Sequence, residues 1–319
     1  MKAFRLILLL TSFLCVSSCD DIIEEDISDE NIQIVSPVHG ATIYSNAVNF
    51  QWTEIDGADK YRIQIFQNSQ AVIIDSLVTS SDCSFALSPG GYQWRVRGEN
   101  FAYETPYTFP AGFTLFQSDD LTSQQVFLAN PSNGLYTNSE TLTFSWHEIA
   151  SATSYDFQLV NVTNGQNIIH NEEDIATSSY SLPSNVINGV NAEYQWKVRA
   201  KNSESSTLFF SRTFRFDNVP PSSPQNLSPA NNSISVSNTT IIFSWTEASD
   251  SGPVQSPITY KIEIATDSGF TNIVTNTSVN DTDHQQVFTI LGDYFWRVKA
   301  VDAAGNIGVA SAYSKFTIN

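Results

Sequence analysis

Three all-β domains in tandem are the architecture this sequence predicts, and three observations predict it. The six tryptophans fall in pairs, at 52 and 94, 146 and 196, and 245 and 296. Like positions recur after 94 and 99 residues for the first of each pair, and after 102 and 100 for the second. Self-similarity at a fixed period marks a repeated structural unit. Around each tryptophan, apolar residues alternate strictly with polar ones, the period of a strand with one buried face. These strand-like stretches are short and separated by Gly, Pro, Asn and Ser, with no helical period. Each unit is therefore expected to close as a β-sandwich.

The elements repeat in order. A turn with proline opens each unit: Ser36-Pro37-Val38-His39-Gly40, Asn130-Pro131-Ser132-Asn133-Gly134 and Ser228-Pro229-Ala230-Asn231-Asn232. Phe-x-Trp follows, as Phe50/Trp52, Phe144/Trp146 and Phe243/Trp245. Next come alternating strands led by an aromatic: Tyr61, Ile63, Ile65; Tyr155, Phe157, Leu159; Tyr260, Ile262, Ile264. In the third unit an insert, Asp250–Pro257, precedes this strand. Late in each unit stands Tyr-x-Trp-[Arg/Lys]-Val-[Arg/Lys], at 92–97, 194–199 and 294–299. There Tyr, Trp and Val should face the core and the basic residues water.

These motifs resemble the fibronectin type III domain, an immunoglobulin-like β-sandwich. The tryptophan of the second strand, the aromatic-led third strand and the tyrosine opening the penultimate strand carry the likeness. Ala200 and Ala300 complete the family's Tyr-x-x-x-Val-x-Ala, whereas the first unit departs from it at Gly98. Val301-Asp302-Ala303-Ala304-Gly305-Asn306 is similar to the family's F–G loop in bacterial examples. The resemblance covers residues 31–319. It implies binding or spacing modules without inherent catalytic residues, and the polar linker Gln117–Gln124 and the proline-rich Asp217–Pro224 place the domains at 31–117, 124–218 and 219–319. A fold is by itself a weak warrant for function. Pro220, Pro221 and Pro224 should make the second junction semi-rigid, so the three sandwiches are expected to form an extended rod.

The N-terminus predicts an address. Lys2 and Arg5 precede an apolar run, Leu6–Leu10 resuming at Phe13–Val16. This is too short to span a bilayer and suits a signal peptide over residues 1–18. Val16-Ser17-Ser18-Cys19 resembles a bacterial lipobox, which implies lipid attachment at Cys19 and a membrane as one partner. Cys83 would then be the one cysteine of the mature domains, leaving no intramolecular disulfide; its alternating context (Cys83, Phe85, Leu87) predicts a buried thiol. Residues 19–30 read as a tether, with seven acids between Asp20 and Glu30 that repel one another. Asp20 alone resembles an inner-membrane retention signal. The longer acidic cluster resembles an export signal and favours the outer membrane, with display at the cell surface over its periplasmic face.

Composition narrows the function. The 319 residues carry 41% hydrophobic and 12% aromatic side chains, enough to bury cores and exclude general disorder. A formal net charge of −18 argues against nucleic acid as a partner, which needs Lys and Arg against phosphate. The four histidines, 39, 147, 170 and 284, show no metal-ligand spacing, with 170 and 284 placed in polar loops. Glu172/Glu173 falls in a connecting segment, and no nucleophile elbow or phosphate-cradling loop occurs. No enzyme, no cofactor and no metal are expected, with Asp250–Gly252 and Asp281-Thr282-Asp283 assigned to ordinary turns. One anomaly is the run after the first Tyr-x-Trp strand, where Phe101, Tyr103, Tyr107 and Phe109 stand in a Pro-containing loop. These four are the candidate ligand-binding residues, since aromatic rings offer rigid contact area to proteins and stack on sugars. The expected function is a non-enzymatic, lipid-anchored surface protein for binding, adhesion or spacing through protein contacts. The alternative is a glycan-binding accessory of a polysaccharide-uptake system.

Overall fold

The computed structural model describes residues 24–67, 71–163 and 165–319. They form three β-sandwich modules of eight strands each. By packing they divide into two compact units, one of residues up to 43 with 48–116, the other of 44–47 with 117–319. The first module lies in the first unit, and the second and third share the other.

In the first module the strands are β1 (Ile34–Ser36), β2 (Ala41–Ile43), β3 (Ala47–Trp52), β4 (Lys60–Gln67), β5 (Val72–Val78), β6 (Asp82–Ala86), β7 (Gly90–Glu99) and β8 (Ala111–Leu115). The second has β9 (Leu128–Asn130), β10 (Leu135–Thr137), β11 (Thr143–Trp146), β12 (Ser154–Asn161), β13 (Asn167–Ile175), β14 (Ser179–Ser181), β15 (Ala192–Lys201) and β16 (Phe210–Phe216). The third has β17 (Asn226–Ser228), β18 (Ser233–Ser235), β19 (Thr240–Trp245), β20 (Ile258–Ala265), β21 (Ile273–Val279), β22 (Asp283–Val287), β23 (Gly292–Asp302) and β24 (Ser314–Ile318). Each module pairs a three-stranded with a five-stranded sheet, ordered β1-β3-β6 and β2-β8-β7-β4-β5 in the first. The same order recurs in the others, and the short second strand always runs parallel to the last. This is the fibronectin type III-like, immunoglobulin-like sandwich three times over. The opening Ser36-Pro37, Asn130-Pro131 and Ser228-Pro229 peptide bonds are all cis.

The alternating pattern explains why these segments are strands. In β4 every second residue, Tyr61, Ile63 and Ile65, faces the core, and β12 and β20 bury the matching positions. In β7, β15 and β23 the Tyr, Trp and Val are buried while the intervening basic side chains reach outward. The sheets meet through recurring aromatic contacts, among them one between the Phe-x-Trp phenylalanine and the Tyr-x-Trp tryptophan. Phe50 of the small sheet packs its ring 5.0 Å from Trp94 of the large one, Phe144 lies 5.1 Å from Trp196, and Phe243 5.3 Å from Trp296.

The tyrosine opening each penultimate strand fixes the corner before it. Tyr92 donates its hydroxyl to the Ser88 carbonyl at 2.6 Å, Tyr194 to Val190 at 2.7 Å and Tyr294 to Ile290 at 3.0 Å. The hydroxyls of Tyr61, Tyr155 and Tyr260 accept the N–H of Ile55, Ile149 and Ala248, each at 2.9 Å. Both tyrosine positions thus join an apolar ring in the core to a polar tip that ties a loop.

Cys83 packs half-buried against the first core and is free. Burial pushes its thiol up to about 12, as suits a small hydrophobe rather than a nucleophile. His170 and His284, expected in loops, lie instead on β13 and β22, and Glu172 and Glu173 also belong to β13. These strands alternate polar residues with few apolar ones, so their sequence gives little strand signal. His170 meets the Tyr180 hydroxyl at 2.7 Å, and the His284 ring lies 6.2 Å from Phe243.

Two substitutions test the packing account. Trp52→Ala deletes a core ring and should destabilise the first unit by about 3–5 kcal/mol in urea denaturation. Tyr194→Phe keeps the ring but strands the Val190 carbonyl, and should cost about 1 kcal/mol in the second unit. A Trp52→Ala midpoint equal to wild type would defeat the core assignment.

Candidate functional site

The aromatic segment after β7 proves to be two structures rather than one loop. Its tip is a tight turn at 100–103, where the Asn100 N–H bonds the Tyr103 carbonyl and the Asn100 side-chain oxygen accepts the N–H of Ala102 and Tyr103. Beyond the tip the chain returns along β7. The Thr105 N–H reaches the Gly98 carbonyl at 2.9 Å, and its hydroxyl accepts the Gly98 N–H at 3.0 Å. Thr108 repeats this one step on, with its N–H on the Val96 carbonyl and its hydroxyl accepting the Val96 N–H. Pro106 and Pro110, which suggest an open loop in sequence, frame a segment tied to β7 through Thr105 and Thr108.

This division separates the four aromatics. Phe101, 92% exposed, and Tyr103, 37% exposed, belong to the tip. Phe109, on the returning segment, is 95% exposed. It lines an open groove of ≈ 890 Å³ with Ile34, Val38, His39, Pro106 and Tyr107 among its walls. His39 is oriented there by accepting the Gly112 N–H on Nδ1 at 3.1 Å. Tyr107 packs against two guanidiniums, with Arg95 4.2 Å and Arg97 4.8 Å from the ring centre. No ring contact joins any two of the four, so they do not build a single aromatic platform.

The arginines themselves escaped the sequence reading, which took them only as the wet face of a strand. Glu99 gathers Arg62 at 2.7 Å and Arg97 at 2.8 Å, while Arg62 also reaches Asp75 at 3.0 Å. Burial works against an ionised Glu99, but the hydrogen bonds from Arg62 and Arg97 outweigh it and hold the carboxyl below its ordinary range. Among the described residues Arg95 has no carboxylate partner; it bonds the Gln64 side-chain oxygen and stacks between Phe66 and Tyr107. Phe66 and Arg95 lie on the paired strands β4 and β7, whereas Tyr107 reaches them from the segment before β8, so no local spacing signals this stack.

In the other modules the same sheet face is organised differently. Asp156 of β12, buried, bonds Arg199 at 2.8 Å and Lys201 at 2.7 Å. Glu263 of β20, also buried, bonds Arg297 at 2.6 Å and Lys299 at 3.0 Å. Arg199 stacks on Phe209 at 4.9 Å and Arg297 on Phe270 at 4.0 Å, one ring each where the first module sets a four-aromatic segment beside its arginines.

No protein-family model and no curated protein matches this sequence. Among solved structures, the chicken CNTN1 FN1–FN3 domains are similar at 17% identity, covering 91% of this chain and 97% of that one, with a TM-score of 0.41. The fibronectin(III)-like modules of Clostridium thermocellum CbhA are similar at 14% identity, covering 59% of this chain and 94% of that one, with a TM-score of 0.23. The fold assignment rests on the strand order and register above. Cys19, the expected lipid site, lies outside the described residues. No helix among the described residues is long and apolar enough to cross a membrane.

The buried carboxylate of the second module generates a pH prediction. Burial alone would raise Asp156, but the hydrogen bonds from Lys201, Arg199 and the Asp174 N–H prevail, and its pKa is lowered. A folded-state pKa below the unfolded value of about 3.9 stabilises the fold above that pH, and the stability is lost as pH falls through the folded value. Asp156→Asn should therefore cost about 1–2 kcal/mol at pH 7, with the gap narrowing as the pH falls below the unfolded value of about 3.9. Chemical denaturation across pH 2–7 reads this directly. A gap that does not narrow in acid would contradict the ionised pairing.

Proposed function

We propose that this chain is a lipid-anchored binding or spacer protein of the bacterial outer membrane, displayed at the cell surface and acting through protein contacts made by its first module. The lipobox-like Val16-Ser17-Ser18-Cys19 and the acidic stretch behind it support the anchor and the display. The observation that carries the contact site is the exposure of Phe101 and Phe109, one on a turn tied at both ends and the other on a groove wall. Fully burying a phenylalanine side chain is worth roughly 1.5–3 kcal/mol, so two rigidly presented rings offer a partner substantial anchoring. Their backbone is already fixed by Asn100, Thr105 and Thr108, which keeps the ordering cost of association small. The sandwich supplies the rigid support, and no role in catalysis is assigned to it.

The glycan reading has weaker support in this geometry. A sugar platform needs free aromatic faces in one plane, and Tyr107 is already stacked by Arg95 and Arg97.

The test compares the intact chain with a Phe101→Ala/Phe109→Ala variant in two assays, cross-linked partner capture at a cell surface and a glycan panel. Capture of a protein that falls at least tenfold in the variant, with no glycan bound, is the expected result. Saccharide binding lost on Tyr103→Ala would replace this reading with the glycan one, and equal capture by both chains would remove the segment as the contact.

A further inference from the structure

At the junction of the second and third modules three carboxylates converge from distant parts of the chain. Asp217 is the first residue after β16, Asp250 lies in the insert between β19 and β20, and Asp302 ends β23. Their ligand-capable oxygens all lie within 4.8 Å of one another, and no Lys or Arg pairs with any of them among the described residues. Asp217 is fully buried and Asp302 nearly so.

Most of the oxygens are accounted for. Asp302 accepts the N–H of Asn306 at 2.7 Å and its side-chain amide at 2.8 Å. Asp250 accepts the N–H groups of Ser251 at 2.8 Å and Ser256 at 2.7 Å. Asp217 accepts the Val219 N–H on Oδ1 at 3.0 Å, but its Oδ2 has no hydrogen-bond partner while fully buried. A buried, unpartnered carboxylate oxygen facing two further carboxylates is costly unless something positive is shared between them.

The other two modules show what the third has changed. Eight residues after the corner tyrosine they carry asparagine, and its amide closes the module against the segment that leads into it. Asn100 donates to the carbonyls of Glu25 and Gly57, and Asn202 to those of Asp119 and Ser151. The corresponding residue of the third module is Asp302, which cannot donate. A donor has been exchanged for an acceptor where two other acids also point. Asn306 takes over part of the closure, donating to the Asp217 carbonyl at 2.9 Å and receiving the Asn138 amide at 3.1 Å.

We propose that Asp217, Asp250 and Asp302 form a calcium site that clamps the linker between the second and third modules. Hard carboxylate oxygens are the donor class calcium takes, at 2.3–2.6 Å from the ion. Oxygens on opposite sides of one ion can then stand up to about 5 Å apart, which accommodates this cluster. Magnesium, with its shorter bonds and stricter octahedron, fits it less well. Bound calcium would join the end of one module, the linker and the F–G turn of the next. Gly308 already leaves no room for a side chain against the Pro221 carbonyl at this junction. The sequence offered Asp250 only as part of an ordinary turn, because its two partners stand far away along the chain.

The test uses the intact chain freed of metal with EDTA, then titrated with CaCl2 in calorimetry and melted with and without it. One calcium per chain should bind with a Kd of about 10⁻³ M or tighter, and 5 mM CaCl2 should raise the second unit's Tm by about 5 °C. An equal concentration of MgCl2 should raise it less. Asp302→Asn restores the residue the other modules use, so it should fold, lose the calcium response and melt in EDTA no lower than wild type. Asp281→Asn, outside the cluster, should keep the response. Equal Tm in calcium and EDTA, no heat of binding, or a calcium response retained in Asp302→Asn would each overturn the assignment.

Discussion

The contact on which each module depends is a phenylalanine of the small sheet set against a tryptophan of the large one. Phe50–Trp94, Phe144–Trp196 and Phe243–Trp296 join the two sheets of each module. The rest of each core arranges itself around this pair. Phe113, Phe214 and Phe316 from the last strands pack on the same phenylalanines, 5.8, 5.9 and 5.6 Å away. They also stack on the corner tyrosines Tyr92, Tyr194 and Tyr294. Aromatic rings of this size bury enough surface to stabilise a domain of about one hundred residues without disulfides. The arrangement has a polar cost. Five of the six tryptophans bury an indole N–H with no partner, and only Trp94 donates, to the Pro37 carbonyl at 2.9 Å. Ring packing outweighs that loss.

Because the core is repeated so closely, differences between the modules fall on their surfaces and junctions. The first carries its acid on β7, as Glu99, and gathers arginines beside exposed aromatics. The second and third bury the acid on β12 and β20, as Asp156 and Glu263, facing a basic pair on the neighbouring strand. Residue type, at a register common to all three modules, explains the change. Arg62 lies directly opposite Arg97, a like-charge pair that needs a bridging carboxylate, whereas Asp156 lies opposite Arg199 and Glu263 opposite Arg297. The third module differs again by placing a carboxylate where the others have an amide. One scaffold thus presents an exposed aromatic segment at one place and an acidic junction at another.

What could be seen in the sequence follows the same division. The strands bearing Tyr-x-Trp and Phe-x-Trp were legible because their burial alternates with period 2, and the corner tyrosines because their position recurs. β13 and β22 were not, since polar residues such as Glu172 and His284 occupy strands with little buried face. The aromatic segment was legible as an anomaly, but its division at Thr105 and Thr108 was not. That division depends on side-chain hydroxyls caught by the backbone of β7, which composition does not reveal. The meeting of Asp217, Asp250 and Asp302 was hidden for a different reason: it is made by tertiary packing across two modules and has no local spacing.

The most direct measurement of the central contact is a double-mutant cycle on Phe144 and Trp196 in the second module. Phe144→Leu, Trp196→Phe and the double variant would be compared with wild type by urea denaturation. If the ring contact holds the sheets together, the two losses will be coupled by about 0.5–1.5 kcal/mol. Strictly additive losses would mean that each ring contributes only its own burial, and that the cross-sheet pair is not what the sandwich depends on.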